Sequence, residues 1–344
     1  VRSRRQRQMC IRDRFNVYKD MKARTNGEIY IGVVGPVRTG KSTFIKRFMN
    51  LMVLPNIEDE NDRNRANDEL PQSSSGKTIM TTEPKFVPNE AVSIKTEEGI
   101  ELNVRLIDCV GYMVEGATGH MEGEEERLVK TPWFDYEIPF TKAAAIGTKK
   151  VITEHSTIGV VVTCDGSFGE IAAKQYEPAE EETIKQLKAL KKPFVVLLNT
   201  IHPYSESTKQ LAAEKEEKYQ TKVLPMNLEQ MKKEDIYEII KSVLMEFPIS
   251  SIGFYVPRWT EMLKKDHPLK MELLQMARDV ITEKTTMRDI YEEQEKEYEY
   301  ITGQKLESVA MDSGEVVITV KVGDVYYYES VSYTHLRAHE TKAN

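Results

Sequence analysis

An α/β fold of P-loop NTPase type, with GTPase-like topology, a mostly parallel sheet and an antiparallel edge hairpin, is predicted by three observations. The first is the octet Gly35-Pro36-Val37-Arg38-Thr39-Gly40-Lys41-Ser42, which fits the phosphate-cradling pattern G-x-x-x-x-G-K-[ST]. The second is Asp108-Cys109-Val110-Gly111, a D-x-x-G at the end of an apolar run. The third is the alternation of β-branched runs with helical stretches, which calls for a parallel sheet with helices on both faces.

The octet stands between the apolar run Ile29–Val34 and the helix-like Thr43–Met49, a strand entering and a helix leaving. Gly35 and Gly40 allow a tight turn whose N–H groups point at an anion, and the helix N-terminus adds its positive end. Arg38, Thr39 and Thr43 complete the predicted nucleotide-binding stretch. Lys41 can reach the outer phosphates, and Ser42 can ligate magnesium.

Downstream, Pro55–Gly76 reads as a long polar loop, a length that is usually functional in a compact domain. Ala91–Lys95 and Glu101–Ile107 flank Glu97-Glu98-Gly99 and predict a hairpin at the sheet edge. Ile158–Thr163 and Phe194–Leu198 are continuous apolar runs of the kind buried parallel strands show. Helical patterns cover Lys142–Ile152, Ala179–Leu190, Ser207–Tyr219 and Leu228–Phe247. Beyond Pro248, Leu269–Ile281 follows helical spacing in a charged segment, and Val316–Val322 with Val325–Tyr328 predict a last strand pair turning at Gly323-Asp324, with partners outside the chain.

Composition limits the rest. A chain of 344 residues, 40% hydrophobic and 30% charged, supports about two domains. No apolar run approaches the ~20 residues of a membrane span. Cys10, Cys109 and Cys164 show neither pairing nor metal spacing, as in a reducing, cytoplasmic setting. His155 and His202 are not spaced as metal ligands either. The net charge is −7, yet residues 1–14 carry six arginines against Asp13 and residues 331–344 add one positive charge, leaving −13 on 15–330. An acidic body argues against a nucleic-acid partner. Met9–Arg14 and Val331–Thr341 resemble translated sequencing-adapter sequence, so 1–14 and 331–344 are set aside as non-native tails and the native gene is expected to be cut at its C-terminus.

Around the loop, Asp108 can hold magnesium directly or through water, and Gly111 lets a γ-phosphate pull the following segment. Thr78-Ile79-Met80-Thr81-Thr82 lies where a switch NTPase keeps its γ-phosphate-sensing, metal-ligating threonine. Spacing does not choose between Thr81 and Thr82. Asn199-Thr200-Ile201-His202 stands where guanine-specific members of the fold carry Asn-Lys-x-Asp. Asn199 is retained as a nucleotide-site residue, but the guanine-reading Asp is replaced by His202 and the Lys by Thr200. ATP becomes at least as fitting as GTP.

Gly35–Phe48, Glu69–Ser73, Gly76–Pro88, Asp108–Tyr112 and Glu154–Val160 together resemble the stage IV sporulation protein A family, densely over about 15–250 and more loosely to 330. The resemblance implies ATPases of endospore-forming Firmicutes, built on a GTPase-like fold. It implies that ATP hydrolysis with Mg2+ drives self-assembly into a static, cytoskeleton-like homopolymer. That polymer is the basement layer of the spore coat, on the forespore surface in the mother-cell cytoplasm. Lys41 becomes the Walker A lysine, Asp108 the Walker B acid, and Thr81 and Thr82 the sensor threonines, with Ser42, Thr81, Thr82 and Asp108 around the metal. It also implies other coat proteins as partners and, for a far C-terminal region, a small amphipathic peptide marking the forespore membrane. The expected domains are an NTPase domain over 15–248 and the start of an α+β middle domain over 249–330. A regulatory GTPase switch and a nucleotide-binding scaffold without turnover are the rival readings.

Overall fold

The computed structural model describes residues 17–57, 59–71, 83–95, 101–117, 120–122, 125–168, 171–291 and 296–328. These fall into two compact units divided between Glu246 and Phe247.

The first unit begins with helix α1 (Val17–Arg24) and strand β1 (Glu28–Val34), followed by α2 (Lys41–Phe48) and α3 (Glu60–Asp68). Strands β2 (Lys85–Lys95) and β3 (Glu101–Asp108) come next. Two small hairpins pair β4 (Met121–Glu122) with β5 (Glu125–Glu126), and β6 (Leu128–Thr131) with β7 (Phe134–Pro139). Then α4 (Phe140–Lys150), β8 (Ile158–Cys164), α5 (Ala173–Ala189), β9 (Phe194–Asn199), α6 (Glu206–Tyr219), β10 (Val223–Met226) and α7 (Lys233–Met245) alternate.

The main sheet runs β10-β9-β8-β1-β3-β2. Only β2 is antiparallel to its neighbour; β1, β3, β8, β9 and β10 are mutually parallel. The predicted fold class is what forms. Every residue of β8 and β9 is buried, because helices cover both faces of a parallel sheet. Strand β10, not apparent in the sequence, contains Pro225; a proline without an N–H is tolerated on a sheet edge, which is where β10 lies.

Several expectations are corrected. The polar stretch after Pro55 is not all loop: the Asp59 carboxylate accepts from the N–H groups of Asn61 and Asp62 and starts α3. Helix α5 begins at Ala173 rather than Ala179, with Pro178 inside it. The Gln175 carboxamide oxygen accepts from Ala172 N–H and secures its first turn. The pattern from Leu228 resolves into a 3-10 turn, Leu228–Gln230, and then α7.

One buried ion pair braces this unit. Glu180 of α5 is fully buried, and Lys215 of α6 places Nζ 2.7 and 2.9 Å from its two carboxylate oxygens. The Thr163 hydroxyl, near the end of β8, donates to the same carboxylate at 2.6 Å.

In the second unit, β11 (Ser251–Tyr255), helix α8 (Pro268–Glu283), β12 (Ile301–Ala310) and β13 (Glu315–Val322) follow in order. The three strands form a mixed sheet, β11-β13-β12. Thus the strand expected at Val316–Val322 has both partners within the chain. The strand expected at Val325–Tyr328 does not form; 324–328 is helical. Tyr326 N–H donates to Gly323 O, its hydroxyl donates to Glu299 O, and its ring lies 4.8 Å from that of Tyr300. These local and aromatic contacts outweigh the β-propensity of the run.

Candidate nucleotide-phosphate site

The chain leaves β1 at Val34 and turns through residues 35–40 into α2. Gly35 has φ 130°, and a Cβ there would lie 2.4 Å from the Val162 carbonyl oxygen, so the loop presses onto the neighbouring strand. Gly40 has φ 101°, and a Cβ would meet Asn199 Nδ2 at 2.7 Å. No L-residue fits either place without strain. Arg38 also has a positive φ and exposes its side chain. Thr39 is buried, and its hydroxyl donates to Pro36 O at 3.0 Å, closing the turn from within.

Lys41 is 5% exposed. Its Nζ donates to Pro36 O at 2.5 Å and Gly35 O at 3.4 Å. Burial pulls its pKa down, with the nearby Cys109 thiol and Asp108 carboxylate opposing. A phosphate arriving over the loop therefore meets a desolvated cation and the α2 N-terminus together. Ser42 and Thr43 are half-buried on the first turn.

Asp108 closes β3 beside β1, paired in register with Val33. It accepts the Ser42 hydroxyl at 3.0 Å through Oδ2, while its buried Oδ1 has no hydrogen-bond partner. Desolvation raises its pKa, offset by the Lys41 charge and the Ser42 bond. An unpartnered carboxylate oxygen beside a serine hydroxyl fits a magnesium ion. Mg2+ takes one or two protein ligands and fills its octahedron with water and phosphate oxygens. Among the described residues no group of three or more His, Cys, Asp or Glu could hold a metal.

Gly111 has φ 93°, and a Cβ would fall 2.2 Å from Gly35 O and 2.6 Å from Lys41 Nζ. The next residue locks to the loop: Tyr112 N–H donates to Gly35 O at 3.3 Å, and Val37 N–H donates to Tyr112 O at 3.0 Å. Burial pushes the Tyr112 phenol up to about 12. That cross-strapping was not apparent from the D-x-x-G motif, since it depends on backbone groups.

Asn199 comes to the same place from the end of β9. Its carboxamide donates to Thr39 O at 3.0 Å and accepts from Leu228 N–H at 3.2 Å. It thereby ties the loop to the segment after β10. Gly35, Thr39, Gly40, Lys41, Ser42, Asp108, Gly111 and Asn199 thus come together, while Arg38, exposed and near Tyr176, and Thr43 share only the loop and the first turn of α2. Thr81 and Thr82 lie outside the described residues.

A second cluster, absent from the motif reading, adjoins Asn199. Thr200 is fully buried and its hydroxyl donates to Asp165 Oδ2 at 2.6 Å. Asp165 Oδ1 accepts from Ser167 N–H at 2.9 Å and from the Ser167 hydroxyl at 2.5 Å. Ile201 N–H donates to Ser167 Oγ and His202 N–H to Thr200 Oγ1, both at 3.1 Å.

Comparison with known proteins turns this geometry into a family assignment. Residues 12–248 match the family described as "Stage IV sporulation protein A, ATPase domain", and 249–341 match its middle domain. The chain belongs to the stage IV sporulation protein A family. It is 49% identical over 315 residues to the "Stage IV sporulation protein A" of Clostridioides difficile (strain 630), covering 91% of this chain and 64% of that protein. The proteins of that name from Bacillus anthracis and Bacillus subtilis (strain 168) are 46% and 45% identical over 317 residues, again with 92% of this chain and 64% of theirs covered. The chain spans 64% of the length of these curated relatives. The family read from the sequence and the P-loop NTPase fold are both borne out. No helix among the described residues is long and apolar enough to cross a membrane.

Proposed function

We propose that this chain binds ATP with Mg2+ at the loop Gly35–Ser42 and hydrolyses it. We further propose that the full-length protein uses this hydrolysis to assemble into the static polymer underlying the spore coat. The observation that carries the reading is the meeting of Lys41, Ser42 and Asp108, with Asp108 Oδ1 unpartnered beside Ser42. The ATPase description of the matching family domain supports it.

Lys41 trades two loop carbonyls for β/γ-phosphate oxygens, and the loop N–H groups share the developing charge. Ser42 and Asp108 would hold a magnesium ion, which would supply positive charge against the phosphates. Thr81 or Thr82 is the residue expected to sense the γ-phosphate. Asn199 acts through the loop it holds. Positioning and charge supply the acceleration, so no strong general base is called for.

The NTPase domain covers 15–248 and the middle domain begins at 249 and runs through 330. The protein works in the mother-cell cytoplasm at the forespore surface, with itself, other coat proteins and the amphipathic peptide as partners.

The test measures nucleotide binding and phosphate release. Lys41→Ala is expected to abolish binding, while Thr81→Ala and Thr82→Ala keep binding and slow turnover. Wild-type-like hydrolysis by both threonine variants would sink the sensor assignment. Light scattering of full-length protein with ATP or a non-hydrolysable analogue then separates the outputs. Assembly that needs hydrolysis supports the proposal, nucleotide-independent assembly supports a scaffold, and GTP-preferring turnover without assembly supports a switch.

A further inference from the structure

The loops after β8, β9 and β10 lie at the carboxyl ends of parallel strands, where open α/β sheets bind their ligands. Asn199 fixes the register of this edge to the phosphate loop through Thr39 O and Leu228 N–H. Residues 165–168, 200–205 and 227–232 contain two carboxylates, Asp165 and Glu229. Glu229 is exposed on the turn after β10. Asp165 is half-buried and closer to the heart of the edge: one hydroxyl, that of Thr200, separates it from the backbone N–H of His202. That is the position from which guanine is read in relatives of this fold.

Both Asp165 oxygens are already engaged. Four donors converge on them: the Ser167 N–H and hydroxyl, the Thr200 hydroxyl and, at 3.9 Å, the Cys164 thiol. The two hydroxyls in turn accept the N–H groups of Ile201 and His202. The network is closed, so it holds the turn 200–202 rigid and spends its carboxylate internally. Guanine presents adjacent N–H donors on N1 and N2, and a base whose donors find no acceptor on binding forfeits their hydration. Adenine presents an acceptor at N1 and one amino donor at N6, so it has a single donor to satisfy on that edge where guanine has two adjacent ones.

We propose that Asp165, Ser167 and Thr200 form the base-selectivity network of this nucleotide site: Thr200 and Ser167 hold the Asp165 carboxylate away from the base and so disfavour guanine. This rests on the ATP reading above. The three are positioning residues; none is assigned a contact with the reacting phosphates.

The experiment compares kcat/KM for ATP and GTP in wild type, Thr200→Val, Thr200→Ser and the double variant Thr200→Val/Asp165→Asn. Thr200→Val frees Asp165 Oδ2 and is expected to cut the ATP:GTP ratio about tenfold, the worth of one charge-assisted hydrogen bond, through KM for GTP rather than kcat. Thr200→Ser keeps the hydroxyl and the wild-type ratio. Adding Asp165→Asn removes the freed carboxylate and abolishes the gained GTP use, an outcome that a merely loosened loop would not give. A Thr200→Val ratio within about twofold of an ATP-preferring wild type, at unchanged thermal unfolding, overturns this inference and leaves the ATP reading intact. A wild type that prefers GTP overturns both. Should Thr200→Val fail to fold, Ser167→Ala takes its place, with a ratio about threefold lower expected and an unchanged ratio overturning the proposal.

Discussion

The first unit fully buries charged side chains as well as apolar ones, whereas among the described residues of the second no charged side chain is fully buried. In the first, β8 and β9 are buried throughout, Lys41 and Glu180 are buried charges, and Asp108 is half-buried at the end of β3. In the second, β11 alternates exposed and half-buried residues, and α8 buries Leu269, Leu273, Met276 and Val280 while exposing Met271, Leu274 and Ile281. Its Lys296–Glu283 pair lies at the surface, while Asp279 and the Arg288–Asp289 pair are partly buried. A sheet covered on both faces can afford a desolvated lysine, because the surrounding backbone and carboxylates are held firmly enough to compensate it. Among the described residues the three-stranded sheet of the second unit holds no such desolvated charge.

The contrast can be broken most forcefully at Glu180. Glu180→Ala strands the nearly buried Lys215 ammonium and is expected to cost about 3–5 kcal/mol in chemical denaturation of the first unit. The same change at Glu283, where Lys296 faces water, should cost under about 1 kcal/mol. Equal losses at the two sites would refute the contrast. A step down in size, Leu198→Ala opens a cavity in a fully buried strand and should cost about 2–5 kcal/mol. Met262→Ala, at a side chain 89% exposed, should stay within about 0.5 kcal/mol.

The smallest effect is on pH dependence. Burial holds the Asp108 carboxyl above its ordinary range, so its contribution to apo stability is fully present below the unfolded pKa. It is lost as pH rises through the folded value. Turnover needs the anion and moves the other way, falling as acid protonates Asp108. Asp108→Asn should flatten that part of the stability curve; an unchanged curve would show that another group titrates there.

Legibility followed how local the cause was. The phosphate loop, the D-x-x-G and the buried strands are written in contiguous residues, and each forms where the pattern places it. Strand β10 escaped because it is four residues long and contains Pro225. Strand β12 escaped because its alternation is interrupted by register shifts at Ile301/Gly303 and Leu306/Ser308. The cluster of Asp165, Ser167 and Thr200 joins residues 35 apart through side chains, as Glu180 joins Lys215. No window along the chain contains either.

The Glu180–Lys215 pair also has a historical consequence. Because losing either partner strands a buried charge, neither position can drift through single substitutions without crossing a deep fitness valley. Across the family these two columns should change together, or trade jointly for an apolar pair, while the surface pairs of the second unit come and go one residue at a time.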